Sequence, residues 1–126
     1  MSCLIRDRAG STDAMLAVFG DETLLRAALR FEAGLARAQA EAGLIAAEDA
    51  DAIAAACVAL PDIADLAEAA AHAGTLAIPL VALLRERLAA ASPRAAALVH
   101  RGATSQDLAD TALMLQARAG AALIRE

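Results

Sequence analysis

His100-Arg101-Gly102-Ala103-Thr104-Ser105-Gln106-Asp107, continued by Leu108-Ala109-Asp110-Thr111, sets the reading of this chain. Small hydroxyl and amide side chains follow a glycine turn, and an apolar run at helical spacing begins directly behind them. The hydroxyls therefore stand at a helix N-terminus. That end carries about half a positive charge and free backbone N–H groups, so it favours carboxylates and phosphates. The segment reads as part of an anion-binding site at the start of the last helix.

Composition points to helices throughout. Hydrophobic residues make up 60% of the 126, mostly Ala and Leu, whereas aromatics are 2%, Phe19 and Phe31 alone. Helix formers dominate and strand formers are scarce, which predicts an all-α chain. The charge balance, 11 − 16 = −5, includes no basic run. It argues against nucleic acid and against anionic membrane surfaces as partners. Residues 69–84, the longest stretch without formal charge, are too short and too broken by Gly74 and Pro79 to span a bilayer. No apolar secretory region follows Arg6, Asp7 and Arg8, and Cys3 and Cys57 form neither a close pair nor a metal spacing. Those features predict a cytoplasmic protein with reduced thiols.

Residues 1–20 read as irregular, apart from a short turn through Met15, Leu16 and Val18 capped by Ser11, Thr12 or Asp13. Asp21 is the expected N-cap of the first long helix. Leu24, Leu25, Ala28, Leu29, Phe31, Glu32, Leu35, Ala36 and Ala38 form its stripe. Gly43 stops that helix, and Leu44 stands where a capping contact belongs. Further helices are expected over 47–60, with Ala50, Ile53, Ala54 and Cys57 buried, and from Asp62 through Ala71. Another runs from Leu80 to about Ala90 behind Pro79, and Ser92-Pro93 opens a short one ending near Val99. The last begins at Thr104 or Ser105. Leu108, Leu115 and Ala122 mark one apolar face of it, and Met114, Ala117, Ala121 and Ile124 mark another. A helix apolar on several faces needs partners. With no stop signal before Glu126, a truncated chain or an oligomeric bundle is expected.

Thr104-x-x-Asp107 has the spacing of a capping box, with Asp in place of the usual Glu. On that reading Thr104 and Ser105 cap the helix and Asp107 offsets its dipole. Three consecutive polar side chains and Gly102, which permits close backbone approach, favour a ligand site in addition. His100 reads as a buried, satisfied imidazole or as a proton-transfer group. His72 reads as structural or exposed. Gly74-Thr75 reads as a turn, with a second wall of the same pocket as its functional reading. Asp49, Asp51, Asp62, Asp65 and Glu68 read as solvated faces and caps, and no spacing supports a metal site.

With Asp110-Thr111-Ala112-Leu113 behind it, the 100–107 segment resembles the first signature region of the fumarase/aspartase superfamily. Its Gly-Ala-Thr-Ser-Gln-Asp form is most similar to the 3-carboxy-cis,cis-muconate cycloisomerase branch; adenylosuccinate lyases have a related Thr-Ser-Ser-Asp form. The stretch from Phe31 to Ala40, with Gly43-Leu44-Ile45, is similar to the first long helix of that branch. Ala73 to Val81 is similar to its Gly-Asn-x-x-Ile-Pro-Leu-Val segment. Arg101 stands where an aromatic is usual, Thr75 where Asn is usual, Ala82 where a basic residue is common and Gly20 where Ser is usual.

The resemblance implies an N-terminal helical domain over 1–103 and the beginning of a central bundle helix over 104–126. It implies an isomerase of protocatechuate degradation, the β-ketoadipate pathway. That enzyme interconverts 3-carboxy-cis,cis-muconate and its lactone by general acid–base chemistry, with no cofactor and no metal. Thr104, Ser105 and Gln106 would bind substrate carboxylates, His100 would bind or polarise the substrate, and Asp107 would order the turn. The partners would be a small di- or tricarboxylate substrate and further copies of the chain, a tetramer in the full-length family. The family's second signature, with its histidine, and its third, with the mobile-loop serine, are not in this chain, so it is expected to be inactive alone. Two alternatives stand beside this reading: another superfamily lyase acting on an adenylosuccinate-like or argininosuccinate-like substrate, or a non-catalytic helical assembly module.

Overall fold

Caps and breakers divide the chain into helices. The computed structural model describes residues 4–125 and contains α1 (Leu4–Gly10), α2 (Asp13–Val18), α3 (Asp21–Glu41), α4 (Ala47–Ala56), α5 (Ile63–Ala73), α6 (Ala77–Ala89), α7 (Pro93–Leu98) and α8 (Ser105–Ile124). No strand occurs among the described residues, so the all-α expectation holds. Thr12 opens α2, its Oγ1 accepting from the Met15 N–H at 3.2 Å, and Asp62 opens α5 by accepting from the Asp65 N–H at 3.0 Å. Helix α3 ends on Gly43 at φ 73°. There the Leu44 N–H donates to the Gln39 carbonyl at 2.8 Å and the Gly43 N–H to the Ala40 carbonyl at 2.9 Å, the paired bonds of a Schellman turn. Leu44 itself stays 66% exposed, so the expected hydrophobic cap buries little of its side chain.

Other local expectations shift for identifiable reasons. Residues 4–10 are helical rather than irregular, and an Arg8–Asp13 ion pair at 2.7 Å links α1 to α2. Gly20, in extended backbone, occupies the N-cap of α3. Asp21 falls one position later, in the first turn, where its charge still opposes the helix dipole. Helix α4 stops at Ala56 instead of running to Leu60. Arg87 of α6 explains the stop, because its guanidinium donates to the Ala56 carbonyl at 2.9 Å and the Ala59 carbonyl at 2.7 Å. Those carbonyls are satisfied without further helix. Cys3 lies outside the described residues.

Helix α3 is the spine. Its buried residues Leu25, Ala28, Leu29, Ala33 and Ala36 share one core cluster with Ala50 and Ile53 of α4 and with Leu108 of α8. Ala38, expected in that stripe, is exposed. Leu80, Leu84 and Leu88 of α6 close the core against α7 and α4. The buried line of α8 is Leu108, Ala112, Gln116 and Gly120, whereas Leu113, Met114, Ala122 and Ile124 face outward. Gln116 donates to the Val18 carbonyl at 2.9 Å, and Gly120 leaves room for Phe19, whose Cε2 would lie 3.1 Å from an added Cβ. Small residues thus let α8 lie close against α3 and α2.

Two glycines give opposite expectations. Gly34 sits exposed in mid-α3 with open space around it, so Gly34→Ala raises stability by about 0.5–1 kcal/mol through helix propensity. Gly74 has φ 72°, so Gly74→Ala lowers stability by about 1–2 kcal/mol. Urea denaturation of both variants checks the pair.

Candidate functional site

The turn between α7 and α8 is held from two sides. Gln39 of α3 donates to the Arg101 carbonyl at 2.6 Å, and Arg85 of α6 donates to the Val99 carbonyl at 3.2 Å. Inside the turn, Gly102 has φ 77° and His100 has φ 62°. The left-handed region costs a glycine nothing but costs a β-carbon residue about 1–2 kcal/mol. His100 is the one non-glycine with positive φ among the described residues.

That backbone turns the imidazole toward α3. His100 Nδ1 lies 2.5 Å from Glu32 Oε1, with the Glu32 side chain 0% exposed and the His100 side chain 13% exposed. The Phe31 ring lies beside the imidazole, tilted by 59° with centroids 6.2 Å apart. Glu32 Oε2 has no partner among the described residues. Burial pushes the Glu32 carboxyl above its ordinary range, while the hydrogen bond and charge of His100 pull it back. Burial, and then the Glu32 charge, also raise the Cys57 thiol to about 11. Cys57 is a buried free thiol, held protonated at neutral pH.

At the start of α8 the capping box forms in full. Asp107 Oδ2 accepts from the Thr104 N–H at 2.7 Å, and Thr104 Oγ1 accepts from the Asp107 N–H at 3.3 Å. The Thr104 backbone bond, followed by its hydroxyl, holds the Asp107 carboxyl below the usual carboxylate range. Ser105, expected to share the capping, takes no part in the box. It lines a cavity of about 320 Å³ together with His100, Arg85 and the α6 residues Ala77, Val81 and Ala82. Gln106 is not among the lining residues; its amide donates to Asp110 Oδ1 at 2.6 Å.

Of the residues singled out in the sequence, His100 and Ser105 share a cavity, whereas Thr104 and Gln106 bond along the helix surface. The second wall lies just past Gly74-Thr75: Thr75 accepts from the Ala77 N–H at 3.2 Å, and α6 itself faces the cavity. Glu32 and Arg85 were missed. Glu32 was counted within an apolar stripe, and an acid at a stripe position is itself a signal, since buried carboxylates need partners. Asp49 is likewise buried rather than solvated, paired with Arg94 Nε through Oδ2 at 2.8 Å. His72 is exposed and meets Glu68 at 3.1 Å. No group of three or more His, Cys, Asp or Glu side chains converges as a metal site among the described residues.

A family model described as lyase matches residues 7–125. The chain belongs to this lyase family. Among its relatives is the 3-carboxy-cis,cis-muconate cycloisomerase of Bradyrhizobium diazoefficiens, 52% identical over 110 residues, 86% of this chain and 24% of the relative. The enzyme of the same name from Pseudomonas aeruginosa is 49% identical over 113 residues, covering 89% of this chain and 25% of the relative. The crystal structure of 3-carboxy-cis,cis-muconate lactonizing enzyme from Pseudomonas putida superposes with a TM-score of 0.88 at 46% identity, over 96% of this chain and 28% of that one. The lyase-family chain thus has the all-α fumarase/aspartase fold of the N-terminal region, and it spans about a quarter of the curated relatives it matches.

The capping box separates two contributions to stability. Thr104→Ala lowers stability by about 1 kcal/mol. Asp107→Asn costs stability only where Asp107 is ionised. Because the folded carboxyl is held low, its contribution is full above its unfolded value, about 4, and is lost as pH falls through the lower folded value. Melting curves from pH 7 to pH 2 therefore show wild type and Asp107→Asn converging at the acid end.

Proposed function

We propose that this chain supplies the N-terminal wall of a 3-carboxy-cis,cis-muconate cycloisomerase site. One observation carries the reading. A serine hydroxyl, an imidazole and a guanidinium, from Ser105, His100 and Arg85, line one cavity at the N-terminus of α8. The chain that arranges them is 52% identical to a cycloisomerase over 110 residues. The hydroxyl, guanidinium and helix N-terminus suit a substrate bearing several carboxylates.

In that reaction one carboxylate oxygen adds to a carbon of the conjugated diene while a proton is delivered to the neighbouring carbon, closing the lactone. Atoms and charge are conserved without an oxidant. The reverse step removes a proton beside a carboxylate and expels the ring oxygen. Ser105 and Arg85 would hold a carboxylate, and that grip strengthens as enolate-like charge develops. His100 would meet the substrate through Nε2, since Nδ1 is taken by Glu32. Thr104 and Asp107 would hold the turn, and Gln106 would reach a carboxylate only after releasing Asp110. Helix α8, from 104 onward, would open the central bundle behind the 1–103 domain. Its outward Leu113, Met114 and Ile124 would be covered by further helices or by other copies in a homo-oligomer.

The test compares Ser105→Ala with its parent in the whole enzyme carrying this segment. Loss of a hydrogen bond to a charged carboxylate costs about 1.5–3 kcal/mol, or roughly 10-fold to 150-fold in KM or kcat/KM, with the melting temperature nearly unchanged. The 126-residue chain alone shows no turnover. A Ser105→Ala enzyme with parental kinetics and a lowered melting temperature overturns the assignment, and turnover of adenylosuccinate in place of carboxymuconate overturns the substrate.

A further inference from the structure

The Glu32–His100 pair is expensive as architecture. The carboxylate is buried on the core-facing side of α3, one oxygen has no partner among the described residues, and its imidazole partner sits in left-handed backbone. Apolar residues of similar volume in place of such a pair are often neutral or stabilising, so packing alone does not account for it. Desolvation and backbone strain coincide at one point, the point where His100 reaches the cavity edge.

We propose that Glu32 is a positioning residue. Its carboxylate accepts from His100 Nδ1–H, fixes the ring plane and tautomer, and so presents Nε2 to the cavity as the nitrogen that meets a substrate carboxylate. The geometry supports this division of labour. The one side-chain hydrogen bond of Glu32 among the described residues is the one to Nδ1, and the Phe31 ring lies tilted beside the imidazole. Arg85, a charged group near the pair, is anchored on the Val99 carbonyl. Glu32 has 0% exposure and lines no cavity wall with His100, so it acts through the imidazole rather than on the ligand. A bound histidine is commonly set in this way, its far nitrogen oriented by a carboxylate behind it.

The substrate-facing half of this proposal rests on the cycloisomerase reading; the tautomer half does not, and the experiment separates them. Nitrogen-15 spectra of the chain at pH 8 show His100 as a single tautomer with the proton on Nδ1. Glu32→Gln shifts it to a mixture containing the Nε2–H form. In the whole enzyme, Glu32→Gln lowers kcat/KM for 3-carboxy-cis,cis-muconate by about 10-fold to 100-fold. The same change has no further effect in a His100→Asn background, as expected for a residue acting through the imidazole. Melting curves identify a variant that has not folded. Glu32→Asp, which keeps the charge but withdraws it by one carbon, then serves as the second variant and gives an intermediate loss. A wild-type His100 that is a tautomer mixture, or a spectrum unchanged by Glu32→Gln, overturns the positioning role. A locked tautomer in an enzyme that ignores carboxymuconate overturns the substrate and upholds the lock.

Discussion

The hydrogen bond between the His100 imidazole and the Glu32 carboxylate is the constraint around which the rest is arranged. It joins the middle of α3 to the turn that launches α8. Charged groups removed from water need compensation, and here the one side-chain hydrogen bond that offers it comes from an imidazole. The turn has to deliver that ring to a fixed point. Two side chains, Gln39 and Arg85, grip the carbonyls of Arg101 and Val99 on either side of His100, so its left-handed backbone is held by direct bonds. The direction of α8 then follows from the capping box that begins two residues after Gly102.

Close packing of α8 extends the same logic. Leu108, Ala112, Gln116 and Gly120 repeat every four residues, which draws one line along the helix against α3 and α2. Alanine and glycine on that line permit short interaxial distances, and Gln116 hydrogen-bonds the end of α2. With α8 seated so closely, the cavity between its first turn and α6 has a defined width.

Much of this was legible in the residues. The helix count from α2 onward, the breaks at Gly43, Pro61 and Gly74, and the start of α8 follow from local chemistry: caps, left-handed glycines and proline. The family resemblance rested on the signature at His100–Asp107, and the matching relatives bear it out. Boundaries set by distant partners were not legible. Helix α4 ends where Arg87, some thirty residues on, takes its carbonyls. The site was half visible for the same reason. His100 and Ser105 stand in one segment, but Glu32 and Arg85 come from α3 and α6, and only the fold brings them there. Glu32 was hidden by its neighbours, since an acid within a run of leucines and alanines keeps the helical spacing of the stripe.

The separation between Glu32 and His100 also has a consequence for how the chain is made. The two lie 68 residues apart. A ribosome adding about 5–20 residues per second leaves the acid waiting roughly 3–14 s for its imidazole. Throughout that interval α3 cannot bury Glu32 in its final form, and its stripe stays open to solvent or to a chaperone. A carboxylate in mid-stripe costs more to bury before its imidazole is present than after, because it would leave water unpaired.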